Sequence, residues 1–103
     1  YPDAPWQPAK GFEVDKALVY AFIRQESKFN PYARNARSGA TGLMQIMPAT
    51  AQHIIGITQD PIAPAQLRDP VVNIDLGQKY LAELLAHPQV NNNLFKLAVA
   101  YNA

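Results

Sequence analysis

Seven apolar residues in a row, Ala17-Leu18-Val19-Tyr20-Ala21-Phe22-Ile23, are followed by Arg24, Gln25 and then Glu26. Glu13 and Asp15 ahead of the run suit the positive end of a helix dipole. Asn30-Pro31 behind it disfavours further helix. The segment is therefore expected to be a helix from about Glu13 to Ser27. Its middle is apolar on nearly every side, which predicts a central helix packed all round. A chain built around such a helix is mainly α.

The remaining punctuation agrees with a helical domain. Residues 1–12 hold three prolines, a glycine and Trp6, which is expected to be exposed, and they read as an extended lead-in or linker. Residues 32–47 carry Ser38-Gly39, Thr41-Gly42 and two arginines, the marks of a loop, with a short strand expected at Leu43–Met47. Pro48 suits the first turn of a helix ending at Ile55, and Gly56 suits its stop. Residues 57–68 read as irregular. Asp69-Pro70 is a cap followed by proline and opens a helix to about Ala86. At about 100° per residue, Ile74, Gly77, Leu81, Leu84 and Leu85 share its core side. Asp75, Lys79 and Glu83 share the opposite side at i,i+4 spacing. Asn91-Asn92-Asn93 caps a last helix from Leu94. There is no internal repeat.

Composition narrows the function. The chain has 103 residues, 49% of them hydrophobic, enough for one small domain with a core. A net charge of +1 without a basic run gives no field for nucleic acid. No apolar stretch approaches the roughly 20 residues of a membrane span. The absence of cysteine removes disulfides and thiolate metal sites and is compatible with any compartment. The first residues, Tyr1-Pro2-Asp3-Ala4-Pro5-Trp6, are not a signal peptide. The sequence gives no oligomeric state.

Chemistry points to Glu26. On a helix it lies above Phe22, Ile23 and Val19. Burial against those side chains and the negative end of the helix dipole both disfavour its charge, which is the condition a general acid needs near neutral pH. The alternative is a solvated glutamate at a fraying helix end, or one paired with Lys28. The other carboxylates have structural explanations: Glu13, Asp15 and Asp69 at helix starts, Asp75 and Glu83 on a solvated face, Asp3 and Asp60 in loops. His53 and His87 stand apart from any metal or triad spacing, and Arg34 and Arg37 read as solvated loop charges. No cofactor or metal motif is present. The sequence thus offers one acid and no second, whereas most glycosidases use two.

Three motifs occur in order: Arg24-Gln25-Glu26-Ser27, Gly42-Leu43-Met44-Gln45-Ile46-Met47-Pro48-Ala49-Thr50-Ala51, and Ala100-Tyr101-Asn102-Ala103, with Asn30-Pro31 and Asp69-Pro70 between them. Together they resemble the catalytic domain of the soluble lytic transglycosylases over about residues 13–103. The resemblance implies a lysozyme-like helical domain with at most a small β element, residues 1–12 being the lead-in to it. It implies cleavage of the β-1,4 bond between N-acetylmuramic acid and N-acetylglucosamine in peptidoglycan glycan strands, leaving a 1,6-anhydro end. It also implies a bacterial periplasm or cell envelope.

By the same resemblance Glu26 is the catalytic acid and then base, and Ser27 helps fix the helix end. Gly42, Leu43, Met44 and Gln45 line the groove. Gln45 hydrogen-bonds sugar, and Met44 lies against a sugar or the Glu26 side chain, unless it is core filler. Tyr101 contacts the acid, Asn102 is a polar neighbour, and either Asn35 or Ser38 supplies a substrate-touching side chain. Family members continue with a glycine-rich turn and further helices, so the domain is expected to be truncated on its C-terminal side. The 103-residue piece alone is expected to show little activity; robust turnover of purified peptidoglycan by it would contradict this. Two other readings stay open: a hydrolase akin to goose-type lysozyme, and a glycan-binding or purely structural module.

Overall fold

In the computed structural model, residues 6–56 and 60–102 are described. Five helices follow one another: α1 (Lys16–Ser27), α2 (Pro48–Ile55), α3 (Pro64–Leu67), α4 (Pro70–Ala86) and α5 (Leu94–Tyr101). α1 starts three residues later than expected because Asp15 is its cap, its carboxylate accepting from the Ala17 N–H at 2.8 Å. Glu13 lies outside the helix, and its N–H donates to Gln78 Oε1. α2 and α4 have the expected bounds. Pro48 opens α2 and Gly56 follows its last residue, and the Asp69 side chain takes the Val71 and Val72 N–H groups at the start of α4. The Asn93 side chain caps α5 through the Lys96 N–H. The short helix α3, inside the stretch expected to be irregular, is fastened by Gln66 Oε1 accepting from the Ala63 N–H. Residues 57–59 of that stretch, the first five of the lead-in and Ala103 of the third motif lie outside the described residues.

α4, not α1, is the central helix. It touches α1, α2, α3 and α5. α1 buries Val19, Tyr20 and Ile23 but leaves Lys16, Ala17, Ala21, Arg24 and Gln25 exposed, so it is packed on one side rather than all round. The alanines made both faces look apolar while carrying little burial energy of their own. Ile74, Gly77 and Leu81 occupy the core side of α4 as expected, whereas Leu84 and Leu85 are half-buried. Asn73 and Gln78 share that side, fully buried and fully hydrogen-bonded. Gln78 ties down the lead-in by accepting from the Glu13 N–H and donating to the Gly11 carbonyl. Trp6 is half-buried rather than exposed: it packs on the core, and its carbonyl accepts from the Tyr20 hydroxyl at 3.2 Å.

No strand forms at residues 43–47. Gly42 and Gln45 both adopt left-handed backbone, with φ of 82° and 51°, which an extended strand does not admit. The chain turns instead. Thr41 and Ile46 exchange two backbone hydrogen bonds of 3.0 Å, and Thr41 also bridges to Arg34. The β content is limited to these two bridges among the described residues.

Candidate active site

The cleft forms where the last turn of α1, the turn at residues 41–46 and the end of α5 meet. α1 ends with Lys28 in left-handed backbone, its N–H returning to the Arg24 carbonyl. Ser27 donates its hydroxyl back to the Ile23 carbonyl at 3.1 Å, which serves the helix end and not the cleft wall. Glu26, one position earlier, faces a cavity of about 340 Å³. Asn35, Ser38, Gln45, Met47, Tyr101 and Asn102 line it as well. A volume of this size suits a small polar ligand such as a sugar unit. Among the described lining residues, no carboxylate other than Glu26 is present.

Two opposed effects act on Glu26. Burial raises its carboxyl above the ordinary range by disfavouring the anion. A hydrogen bond from the Asn102 side chain favours the anion and offsets part of that rise. The Asn102 amide is itself oriented by α5: Nδ2 donates to the Ala98 carbonyl at 3.0 Å. The Tyr101 hydroxyl donates to the Met44 carbonyl at 2.6 Å, with the Glu26 charge as its neighbour. Burial, the neighbouring Glu26 charge and Tyr80 all push the phenol upward, so it stays a proton donor. The Tyr101 ring packs between Phe22, at 4.8 Å between centroids, and Tyr80, at 5.4 Å.

The turn behind the cleft is held by a residue the sequence reading passed over. Asn73 Oδ1 accepts from the Met44 N–H at 2.7 Å, and Nδ2 donates to the Thr41 and Leu67 carbonyls at 2.8 and 2.9 Å. Gly42 lies directly on the Asn73 amide, where a Cβ would collide with it. The Met44 side chain runs into the space left by Gly77. Leu43 and Met44 are therefore wholly buried, and Gly42 is buried with them, so none of the three lines the cleft. For Met44, the structure favours the core-filling alternative.

Gln45 does face the cleft, but Nε2 donates to both the Ala33 and Gly42 carbonyls, which uses both amide hydrogens. Its Oε1 is the atom left for a sugar hydroxyl. Asn35 and Ser38 both reach the cavity, so the choice between them does not arise. Asn35 Oδ1 organises the loop by accepting from the Arg37 and Ser38 N–H groups. Ser38 Oγ accepts from the Ala40 N–H, leaving its own proton to donate. Asn73 and Gln78 could have been found from position alone: they fall within the same helical stripe as Ile74, Gly77 and Leu81. His53 is also not alone, since its Nε2 meets both Glu83 oxygens, at 2.8 and 3.0 Å.

Fold and cleft define a class: a small helical domain presenting to an open, sugar-sized cleft one carboxylate whose charge burial disfavours. The chain matches the family model described as Transglycosylase SLT domain over residues 4–103, and it belongs to that family. It is 41% identical over 95 residues to the soluble lytic murein transglycosylase of Escherichia coli K12, covering 90% of this chain and 14% of that protein. The crystal structure of the 70-kDa soluble lytic transglycosylase of Escherichia coli is similar with a TM-score of 0.76 and 39% identity, covering 92% of this chain and 15% of that one. An inactive glutamate-to-glutamine mutant of the lytic transglycosylase Slt of Pseudomonas aeruginosa is similar with a TM-score of 0.74 and 38% identity, covering 87% and 14%. The chain thus spans about one seventh of the length of these relatives.

Proposed function

We propose that this domain cleaves the β-1,4 bond between N-acetylmuramic acid and N-acetylglucosamine in peptidoglycan, in a bacterial periplasm or envelope, and leaves a 1,6-anhydro end. The observation that carries this reading is that Glu26 is the single carboxylate among the described residues lining the cleft. A water-using glycosidase ordinarily needs a second one to act as nucleophile or base. An intramolecular ring closure does not, because the substrate supplies both the stabilising group and the attacking oxygen. Protonated Glu26 gives its proton to the glycosidic oxygen as that bond breaks. The N-acetyl carbonyl of the substrate stabilises the anomeric carbon. Glu26, now a carboxylate, takes the proton of the sugar's 6-hydroxyl as that oxygen closes on the anomeric carbon, and the acid is restored. Burial favours the starting acid, and the Asn102 hydrogen bond favours the intermediate carboxylate. The Pseudomonas aeruginosa relative, inactive as a glutamate-to-glutamine mutant, supports one essential glutamate. Borohydride tests the outcome: anhydro ends resist reduction, whereas the ends left by a hydrolase are reduced. Fully reducible products from the full-length protein would overturn the proposal.

The opposed effects on Glu26 give a pH prediction. Cleavage starts from the protonated acid, so kcat/KM falls as pH rises through the Glu26 pKa. Asn102→Ala removes the interaction that lowers that pKa. The alkaline limb of the kcat/KM profile is expected to move to higher pH, while kcat falls because the carboxylate is less well stabilised. A shift to lower pH, or an unmoved limb, would contradict this role for Asn102.

A further inference from the structure

The segment that supplies Asn35, Ser38, Gln45 and Met47 to the cleft is electrostatically one-sided. Residues 27–59 contain Lys28, Arg34 and Arg37 and no aspartate or glutamate, whereas the rest of the chain carries six lysines and arginines against eight carboxylates. Two of these cations stand at the cleft itself. Arg34 precedes Asn35 and Arg37 precedes Ser38, so each side chain starts one residue, about 3.8 Å of backbone, from the cleft wall.

Among the described residues, nothing uses these two charges. Both side chains are exposed, and neither guanidinium has a hydrogen-bond or ion-pair partner there. The influences on the Glu26 carboxyl are burial and the Asn102 amide rather than a cation. Yet the loop that carries the arginines is pinned. The Asn35 side chain accepts from the Arg37 and Ser38 N–H groups at 2.9 and 3.3 Å. Its backbone N–H donates to the Ala40 carbonyl at 2.9 Å, and its carbonyl accepts from the Gly39 N–H at 2.8 Å. Arg34 is bridged to Thr41. The guanidinium groups are thus presented from fixed backbone, which lowers the ordering cost of binding.

A guanidinium suits a carboxylate, which it takes through two parallel hydrogen bonds. The glycan of peptidoglycan is uncharged, and its anionic groups are the carboxylates of the peptide stems that branch from the muramoyl units. A muramoyl unit bound at Glu26 brings its stem to the rim of the same cleft. We propose that Arg34 and Arg37 form a carboxylate-reading rim that binds the peptide stem of the muramoyl unit at Glu26, so that the domain discriminates between stems with free carboxylates and stems whose carboxylates are amidated. The proposal rests on the glycan-cleaving reading above.

The test is co-sedimentation of the full-length protein carrying Glu26→Gln with insoluble peptidoglycan, either untreated or with its carboxyl groups converted to amides by carbodiimide and ammonia. Arg34→Gln together with Arg37→Gln is added to that background; both positions are on the surface, so folding is expected to be unaffected. With the arginines present, binding to the untreated form is expected to be about five- to tenfold tighter than to the amidated form, the worth of two exposed ion pairs. The double substitution is expected to abolish that preference by weakening binding to the untreated form alone, and Arg34→Lys with Arg37→Lys is expected to keep part of it. Equal affinity for the two forms with the arginines present, or a preference that survives the double substitution to glutamine, overturns the rim. Parallel digestion of untreated peptidoglycan by the protein with Glu26 intact keeps the two proposals apart. Anhydro products together with no carboxylate preference sink the rim alone. Absent cleavage together with a preference that depends on the arginines sinks the reaction and retains the carboxylate recognition.

Discussion

Replacing Glu26 by Gln is expected to reduce peptidoglycan cleavage by the full-length protein roughly 10²–10⁴-fold, the span over which a positioned acid or base contributes to rate. Glutamine keeps the size of the side chain but can neither give nor take the proton. The fold is expected to survive. Burial raises the Glu26 carboxyl in the folded state, so folding favours its protonated form. That contribution is complete below the ordinary carboxylate pKa and is lost as pH rises through the raised value. At neutral pH the charged glutamate therefore costs stability, and Glu26→Gln should leave the melting temperature equal or higher. The difference should shrink in acid. A melting temperature several degrees lower at neutral pH would assign Glu26 a structural role instead.

The largest loss of stability is expected from Asn73→Leu. Leucine has the same branched heavy-atom skeleton with bulkier methyl ends, so no cavity is left to explain the result. What disappears is the acceptor for the Met44 N–H and the donor for the Thr41 and Leu67 carbonyls, all supplied by a side chain with no solvent access. An unsatisfied buried group costs about 1–3 kcal/mol. With three partners stranded and partly relaxing, a total of about 3 kcal/mol is a reasonable magnitude. For a domain of this size that lowers the melting temperature by roughly 12–24 °C. The effect should spread to the cleft, because the Met44 carbonyl also holds the Tyr101 hydroxyl and the same turn carries Gln45. Differential scanning calorimetry checks the first expectation. A shift of only a few degrees would mean that the Asn73 network is not what fixes the turn.

Local signals in the sequence were legible because local physics sets them. Proline at the start of α2, Asp69-Pro70 before α4 and Asn93 before α5 each satisfy or remove unpaired N–H groups within a few residues. Glu26 was legible for the same reason, as a charge carried on an apolar helix. Features set by distant partners were not. The apolar residues of 43–47 read as a strand, but the turn follows from left-handed backbone at Gly42 and Gln45 and from Asn73, about 30 residues away. Leu43 and Met44 belong to the motif without touching the cleft, because Gly77 opens the space that Met44 enters. The Glu83 partner could not be read from an i,i+4 pattern. Lys79 pairs with Asp75 at 3.7 Å, while Glu83 turns to His53, 30 residues away. The exposed side of α1 was hidden by alanines, whose hydropathy is the same whether they face core or water.

In the proposed reaction one carboxylate, Glu26, acts first as acid and then as base, and no water is consumed. The most direct measurement is mass spectrometry of muropeptides released from purified peptidoglycan by the full-length protein, with and without Glu26→Gln. Glycan ends lighter than hydrolysed ends by one water are expected in the unsubstituted digest, and their loss is expected in the variant. Ends carrying the added water, or anhydro ends that persist in Glu26→Gln, would contradict it.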